Sequence, residues 1–209
     1  MKGLLLKDWY MFRKYCGYYV LLAIIFLLVS LVNMGNLFFA FYPCVICGMI
    51  PVTLLGYDER SGFIEYSATM PYTKREIVSS KYLMGLFAQI AVLLLTGIAQ
   101  AVKMKLQGNF SADDYIVLML MMLAISTFTS SISLPFMFKY GVEKGRIAYY
   151  FMIGFVCSIS VFASYLLKGD MQTQIRPNAL LIVLSVIGVG VYILSWYLSI
   201  VFYSKREIA

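Results

Sequence analysis

The feature that most constrains this chain is a series of six long apolar stretches that contain no Asp, Glu, Lys or Arg. Each stretch has roughly the ~17–25 residues that a helix needs to cross the hydrocarbon layer of a bilayer. Backbone polar groups in lipid must find partners within their own segment, so helices are the expected structure. The six predicted spans are residues 16–32, 37–55, 83–102, 115–138, 147–167 and 179–203.

The composition leaves little room for any other kind of domain. Apolar residues make up 62% of the 209 residues and charged residues 13%, whereas soluble domains have about 45–50% and about 25%. We therefore predict an all-α polytopic membrane protein with a single transmembrane domain over residues 1–209. A nucleotide-binding domain of usual size does not fit. Because the chain has no His, mechanisms that need a His base, ligand or pH switch are excluded.

The cations of this chain, whose net charge is +7, alternate from loop to loop. Thirteen lie on one side of the predicted membrane: Lys2, Lys7, Arg13, Lys14, Arg60, Lys74, Arg75, Lys81, Lys139, Lys144, Arg146, Lys205 and Arg206. Four lie on the other side: Lys103, Lys105, Lys168 and Arg176. The positive-inside rule then predicts that both termini are cytoplasmic. It also accounts for the basic charge without a nucleic-acid partner.

The segment 1–15 precedes the first span and is predicted to form a short helix in the inner membrane interface. Apolar side chains share one broad face of that helix: Leu4, Leu5, Trp9, Met11 and Phe12. Cations lie largely opposite: Lys2, Lys7, Arg13 and Lys14. Three residues break the pattern: Leu6, Asp8 and Tyr10. The alternative is a plain basic flank that only sets the topology.

The longest cytoplasmic connection, residues 57–81, is the only sizeable polar stretch of the chain. A short helix is predicted over residues 61–70, with Pro71 at its end. Thr73 and Glu76 have the spacing of a capping box, which starts the helix that runs through Lys81 into the third span. A connection of 25 residues is far longer than the usual ~4–6, so a functional role is favoured over an inert connector.

Motifs of catalysis and of metal binding are missing from the sequence. There is no phosphate-binding loop and no metalloprotease motif, and we predict no catalytic, cofactor-binding or metal-binding residues. The chain is expected not to be an enzyme. The fourth span holds a cluster of Ser and Thr at 126–133, which either bonds its own helix and eases packing or lines a polar path.

Two segments resemble those of ABC-2 type transporter permeases. The first is the N-terminal run MKGLLLKDWY, which is similar to the entry helix of that family. The second is the loop YDERSGFIEYSATMPYTKREIVSSK. It has the family's acidic residue, glycine, short helix, Met-Pro step, capping box and a lysine that opens the next span. The chain also resembles permeases that export amphipathic peptides, such as the phenol-soluble-modulin exporters.

The resemblance implies a permease in a bacterial plasma membrane, paired with a second copy or a paralogue and with ATPase subunits that hold ATP and Mg²⁺. The short helix after the second span is then the coupling helix. The implied coupling residues are Asp58, Glu59, Arg60, Phe63, Ile64, Glu65 and Tyr66. The second and fifth spans are implied to line a pathway at the dimer centre, which suits an amphipathic substrate. Their candidate lining residues are Phe38, Phe41, Tyr42, Met49, Phe151, Phe155, Ser158 and Phe162.

Two further functions remain open at this point. One is the substrate-binding membrane component of an energy-coupling-factor importer, which also has six spans but normally lacks a long loop after the second. The other is a membrane immunity or scaffold protein that transports nothing.

Overall fold

The computed structural model describes residues 2–32, 38–67, 69–108, 111–147, 150 and 177–205. These residues form helices joined by turns, and no strand occurs among them. The helices are α1 (Lys2–Tyr15), α2 (Gly17–Val32), α3 (Phe38–Gly48), α4 (Ile50–Arg60), α5 (Phe63–Ser67), α6 (Lys74–Leu106), α7 (Ala112–Tyr140) and α8 (Pro177–Lys205). The prediction of an all-α chain is confirmed.

Four helical stretches are long and apolar enough to cross a membrane: Phe39–Arg60, Lys74–Leu106, Ala112–Tyr140 and Ser185–Lys205. The helices α1 and α2 form a fifth candidate span when taken together, although they are bent by 60° at their junction. The described residues thus contain four or five of the six predicted spans. The predicted span 147–167 lies almost wholly outside the described residues.

The second predicted span is divided at Met49, where α3 ends and α4 begins. Pro51 lies in the first turn of α4. Because proline has no N–H to donate to the preceding turn, one backbone hydrogen bond is missing where the two helices meet, which favours a break here. On the facing helix, a Cβ at Gly85 would lie 3.1 Å from Pro51 Cγ. Glycine therefore allows α6 to approach α4 closely.

The helix α7 packs along α8 and α3 through small residues. A Cβ at Gly188 would lie 2.7 Å from Thr127 Oγ1, and one at Gly48 would lie 2.7 Å from Thr129 Cγ2. Close approach at small residues is typical of helices that pack in membranes. The Ser and Thr cluster on α7 mostly bonds the backbone of its own helix, as Ser131 Oγ does with the Thr127 carbonyl at 2.6 Å. These contacts favour the packing interpretation of the cluster.

The largest buried apolar cluster lies where α1, α4, α6, α7 and α8 meet. Its members are Leu4, Val52, Leu55, Ile77, Val78, Tyr82, Leu134, Met137, Phe138, Val142, Tyr192 and Tyr203. Because Phe63 and Tyr72 of the loop before α6 pack against this cluster, the polar loop is held at the end of the bundle.

The predicted helix over residues 61–70 is too long. Its observed form is α5, which covers only Phe63–Ser67. The preceding turn contains Gly62 with a positive φ of 67°, a conformation that glycine adopts without strain. At the other end, Ser67 Oγ donates to the Ile64 carbonyl at 2.7 Å. This side-chain bond satisfies a carbonyl at the end of the helix, which ends before Pro71 is reached.

Candidate functional site

Four charged side chains form a closed ring at the end of the bundle where α1 meets α4 and α6. Lys81 Nζ lies 2.5 Å from Asp8 Oδ1 and 2.6 Å from Asp58 Oδ2. Lys7 Nζ lies 2.8 Å from Asp58 Oδ1 and 3.3 Å from Asp8 Oδ1. Positive and negative groups alternate around the ring, which is neutral overall. We call these four residues the charge ring.

The four residues of the charge ring come from three helices. Lys7 and Asp8 lie in the second turn of α1, Asp58 lies in the last turn of α4, and Lys81 lies two turns into α6. Leu4 lies one turn before Asp8 and is buried with it, which keeps this face of α1 against the bundle. The ring therefore fixes the entry helix to both helices that border the polar loop.

The charge ring is almost entirely removed from solvent. Asp8, Lys81 and Asp58 are 0%, 1% and 2% exposed, whereas Lys7 is 26% exposed. Burial lowers the pKa of Lys7, and the charge of Lys81 lowers it further, while Asp8 and Asp58 act in the opposite direction. Charges buried in this way persist only when they are well paired. Among the described residues Asp8 Oδ2 has no hydrogen-bond partner.

Lys7 also contacts the short helix α5. Its Nζ lies 3.5 Å from the centre of the Phe63 ring, a distance at which the aromatic face attracts a cation. Because Phe63 begins α5, this contact joins the charge ring to the middle of the polar loop.

The loop ends in the predicted capping box, which starts α6. Glu76 N donates to Thr73 Oγ1 at 3.3 Å, and Thr73 N donates to Glu76 Oε2 at 3.0 Å. The bond from the Thr73 backbone lowers the pKa of Glu76. Next to the box, Lys74 Nζ donates to the Ser204 carbonyl of α8 at 3.2 Å. The start of α6 is thus defined by local capping and tied to the end of α8.

A second connection runs from the end of α4 to the segment after α7. Val142 N donates to Glu59 Oε2 at 2.8 Å. Beside this bond lies an open cavity of about 340 Å³. Its lining carries both signs of charge: Gly56, Glu59, Arg60, Tyr140, Gly141, Val142, Glu143, Lys144 and Arg146.

The candidate coupling residues differ in their access to a partner. Arg60, Glu65 and Tyr66 are exposed, while Glu59, Phe63 and Ile64 are half-buried. Asp58 is buried and bound to both lysines of the charge ring. Its carboxylate therefore holds the loop from within and is not offered to another protein.

The face predicted for α1 needs correction at Lys7. This lysine was expected opposite the apolar face, but it points into the bundle and binds Asp58. Asp8 and Leu6, which break the predicted pattern, are buried and 57% exposed, respectively. Lys7 can lie against the bundle because it is paired with carboxylates there. Lys2, Arg13 and Lys14 are exposed. Trp9 packs against Phe12 and against Phe87 of α6, with ring centres 5.9 and 5.7 Å apart.

The candidate pathway residues that the structure describes do not gather at one surface. The ring of Tyr42 lies 4.3 Å from that of Phe26 on α2. Phe41 packs near Ala40 and Met122, whereas Met49 packs against the large apolar cluster. The side chain of Phe38 and all of Phe151, Phe155, Ser158 and Phe162 lie outside the described residues.

Sequence reasoning did not identify the charge ring. Asp8 was visible only as an acid that broke the apolar pattern of α1, and Lys81 only as the lysine that opens the third span. An isolated acid in a basic helix, together with one cation at the edge of an apolar run, is the signal that indicates such a pair.

Comparison with known proteins gives one match that covers almost the whole chain. A family model described as ABC-2 family transporter protein matches residues 3–204. No curated protein and no solved structure matches the chain. The matched range contains all four residues of the charge ring and the complete polar loop.

Proposed function

The chain belongs to the ABC-2 transporter family, and from this premise we propose that it is the permease subunit of an ATP-driven exporter. A separate ATPase, which holds ATP and Mg²⁺, binds the polar loop 57–81 and moves it during hydrolysis. The membrane assembly contains two permeases, which are either two copies of this chain or this chain and a paralogue. The transported substrate is amphipathic or hydrophobic, such as a peptide.

The observation that carries this proposal is the anchoring of the polar loop by the charge ring. One end of the loop is fixed by Asp58 and the other by Lys81, and both bind the entry helix α1. The exposed side chains between these two anchors are a place where another protein can bind. A force applied there reaches two membrane helices directly, as an ATP-driven transporter requires.

The orientation with both termini in the cytoplasm has support from the same contacts. The ring places α1 and the polar loop at one end of the bundle, and these segments carry many of the cations that the positive-inside rule assigns to the cytoplasm. Lys103 and Lys105 lie at the opposite end of α6. An ATPase that binds the loop is then on the side where ATP is available.

The proposed substrate class rests on the composition of the membrane helices. The second span is rich in aromatic and Met side chains such as Phe41, Tyr42 and Met49, and side chains of this kind suit an amphipathic substrate. These three residues pack against different neighbours, so the proposal assigns the common pathway surface to the expected fifth-span residues.

The direct test is isolation of the permease from native membranes. We expect a separate ATPase to be recovered with it, and the ATPase to hydrolyse ATP faster in the presence of the permease. If repeated isolation recovers no ATPase, the proposal fails. Tight binding of a vitamin by the isolated chain would instead support the importer component. If the chain binds neither an ATPase nor a vitamin, an immunity or scaffold role is favoured.

Charge reversal at Glu65 tests the loop itself. We expect Glu65→Lys to weaken ATPase capture by about tenfold, because a reversed charge at a matched interface is repelled. The control is Asp113→Lys, which changes another exposed acid, at the start of α7, and should leave capture unchanged. Equal loss in both variants would mean that capture does not depend on the loop.

A further inference from the structure

Lys7 differs from the other residues of the charge ring in two respects. It retains 26% exposure, while the other three have at most 2%. It is also the ring residue for which a direct contact with α5 is seen, through its Nζ above the Phe63 ring at 3.5 Å. Lys81 uses its ammonium group for ion pairs with Asp8 and Asp58.

The helix α5 depends on such contacts for its position. It has only five residues, and an isolated helix of this length does not form in water because nucleation is unfavourable. Most of its side chains are accessible: Glu65 and Tyr66 are exposed and Ile64 is half-buried. Phe63, which packs against the large apolar cluster, is thus well placed to hold α5 to the bundle.

We propose that Lys7 is the positioning residue that joins α5 to the charge ring, and through the ring to α1 and α6. The cation binds Asp58 and Asp8 on one side and the face of Phe63 on the other. When α5 moves, Phe63 moves Lys7, and the closed ring carries the displacement to two helices at once. This inference rests on the proposed function for the source of the movement, but the physical link is a property of the permease alone.

The first experiment measures the link in the isolated full-length permease in lipid nanodiscs. A fluorophore is attached to Tyr66→Cys in a Cys157→Ser background; Cys16, Cys44 and Cys47 are buried and label slowly. Fluorescence anisotropy reports the mobility of α5. We expect Lys7→Gln and Phe63→Leu to increase that mobility, while Lys7→Arg and Phe63→Tyr restore it because they keep the cation or the aromatic face.

Lys2→Gln is the matched control, because Lys2 is an exposed lysine of the same helix. It should leave the anisotropy unchanged. Lys7→Gln can fail to fold because the ring then keeps an unpaired carboxylate. In that case Phe63→Leu still tests whether the contact with Lys7 restrains α5, since it leaves all four charges in place. Unchanged anisotropy in folded Phe63→Leu overturns the link.

The second experiment measures transmission with the ATPase recovered from native membranes. We expect Phe63→Leu to lower permease-stimulated ATP hydrolysis, measured per molecule of captured ATPase, by roughly fivefold or more. Phe63→Tyr should restore the stimulation. A role in binding alone would reduce capture but leave the hydrolysis rate per captured ATPase unchanged, so that outcome overturns the proposal, as does full stimulation with a mobile α5.

The two failures are distinguishable. If the unmodified chain captures no ATPase, the proposed function is wrong, whereas the anisotropy measurement still decides whether Lys7 holds α5. If capture succeeds and the anisotropy does not respond, the proposed function stands and the role of Lys7 is rejected.

Discussion

The charge ring and the neutral polar contacts deeper in the bundle join helices in two different ways. In the ring, full charges from three helices cancel one another. Farther along α6, two contacts between helices are made by uncharged groups: Gln89 Nε2 donates to the Ser126 carbonyl at 3.0 Å, and Gln100 Nε2 donates to Ser30 Oγ at 2.9 Å. Tyr82 lies between the two regions, with its hydroxyl 2.7 Å from Ser195 Oγ and from Ser199 Oγ.

The difference between the two regions concerns what is left when one partner is removed. Loss of one residue from the ring leaves a buried charge without its counter-ion, and such a charge is costly. Loss of a neutral partner leaves a dipole, which finds other partners in a membrane and costs little. The ring is therefore strong only as a complete set, whereas each neutral contact contributes separately.

The largest effect is expected for Lys81→Met. This change leaves the ring with a net charge of −1, and the free energy of unfolding in nanodiscs should fall by about 3–5 kcal/mol. The double variant Lys81→Met/Asp8→Asn restores neutrality and should be more stable than Lys81→Met alone. Additive losses in the double variant would show that the ring is not a unit.

Lys105→Met is the control for this measurement, because Lys105 is an exposed lysine at the far end of the same helix. Its stability should stay within about 0.5 kcal/mol of the unmodified chain.

A smaller effect is expected for Tyr82→Phe. Removing the hydroxyl breaks its contacts with Ser195 and Ser199 but leaves the aromatic packing, so the free energy of unfolding should fall by about 1 kcal/mol. Tyr197→Phe, at a position that is 67% exposed on α8, should change nothing measurable. A loss for Tyr82→Phe as large as that for Lys81→Met would contradict the distinction between charged and neutral contacts.

The smallest effect on the free energy of unfolding is expected at the capping box, where the Glu76 carboxylate is fully solvated. Because the Thr73 backbone bond lowers the pKa of Glu76, its stabilising contribution is present above pH 4.5. It is lost as the pH falls through the lower pKa of the folded state. A carbon-13 NMR titration should place the Glu76 pKa below its ordinary value of 4.5. Thr73→Ala keeps the backbone donor and removes only the hydroxyl that donates to Glu76 Oε2 at 3.2 Å, so it should raise that pKa only part of the way. A Glu76 pKa at or above 4.5 in the unmodified chain would be inconsistent with this structure.

Features that depend on neighbouring residues were predictable. Charge-free runs indicate membrane helices because lipid imposes internal hydrogen bonding on the backbone. The capping box was visible from Thr73 and Glu76, since both partners lie within one turn. The tendency of the Ser and Thr cluster of α7 to bond its own helix was predictable for the same reason, because donor and acceptor lie about one turn apart.

Features that depend on the approach of distant segments were not predictable. Lys7 and Asp58 are 51 residues apart, and Asp8 and Lys81 are 73 residues apart. The pattern of α1 placed Lys7 on the solvated face because a single helix carries no information about counter-ions elsewhere. The length of α5 was overestimated for a related reason. The side-chain bond of Ser67 competes with helix continuation, and the propensities of the separate residues do not reveal which prevails.

The separation of Asp8 from Lys81 also imposes an order on synthesis. At about 5–20 residues per second, a ribosome needs about 4 to 15 seconds to add the 73 residues that follow Asp8. During that time the carboxylate of Asp8 lacks the lysine that neutralises it in the finished protein, and water or lipid headgroups must solvate it. The entry helix can therefore complete the charge ring only after residue 81, at the start of the third span, has been synthesised.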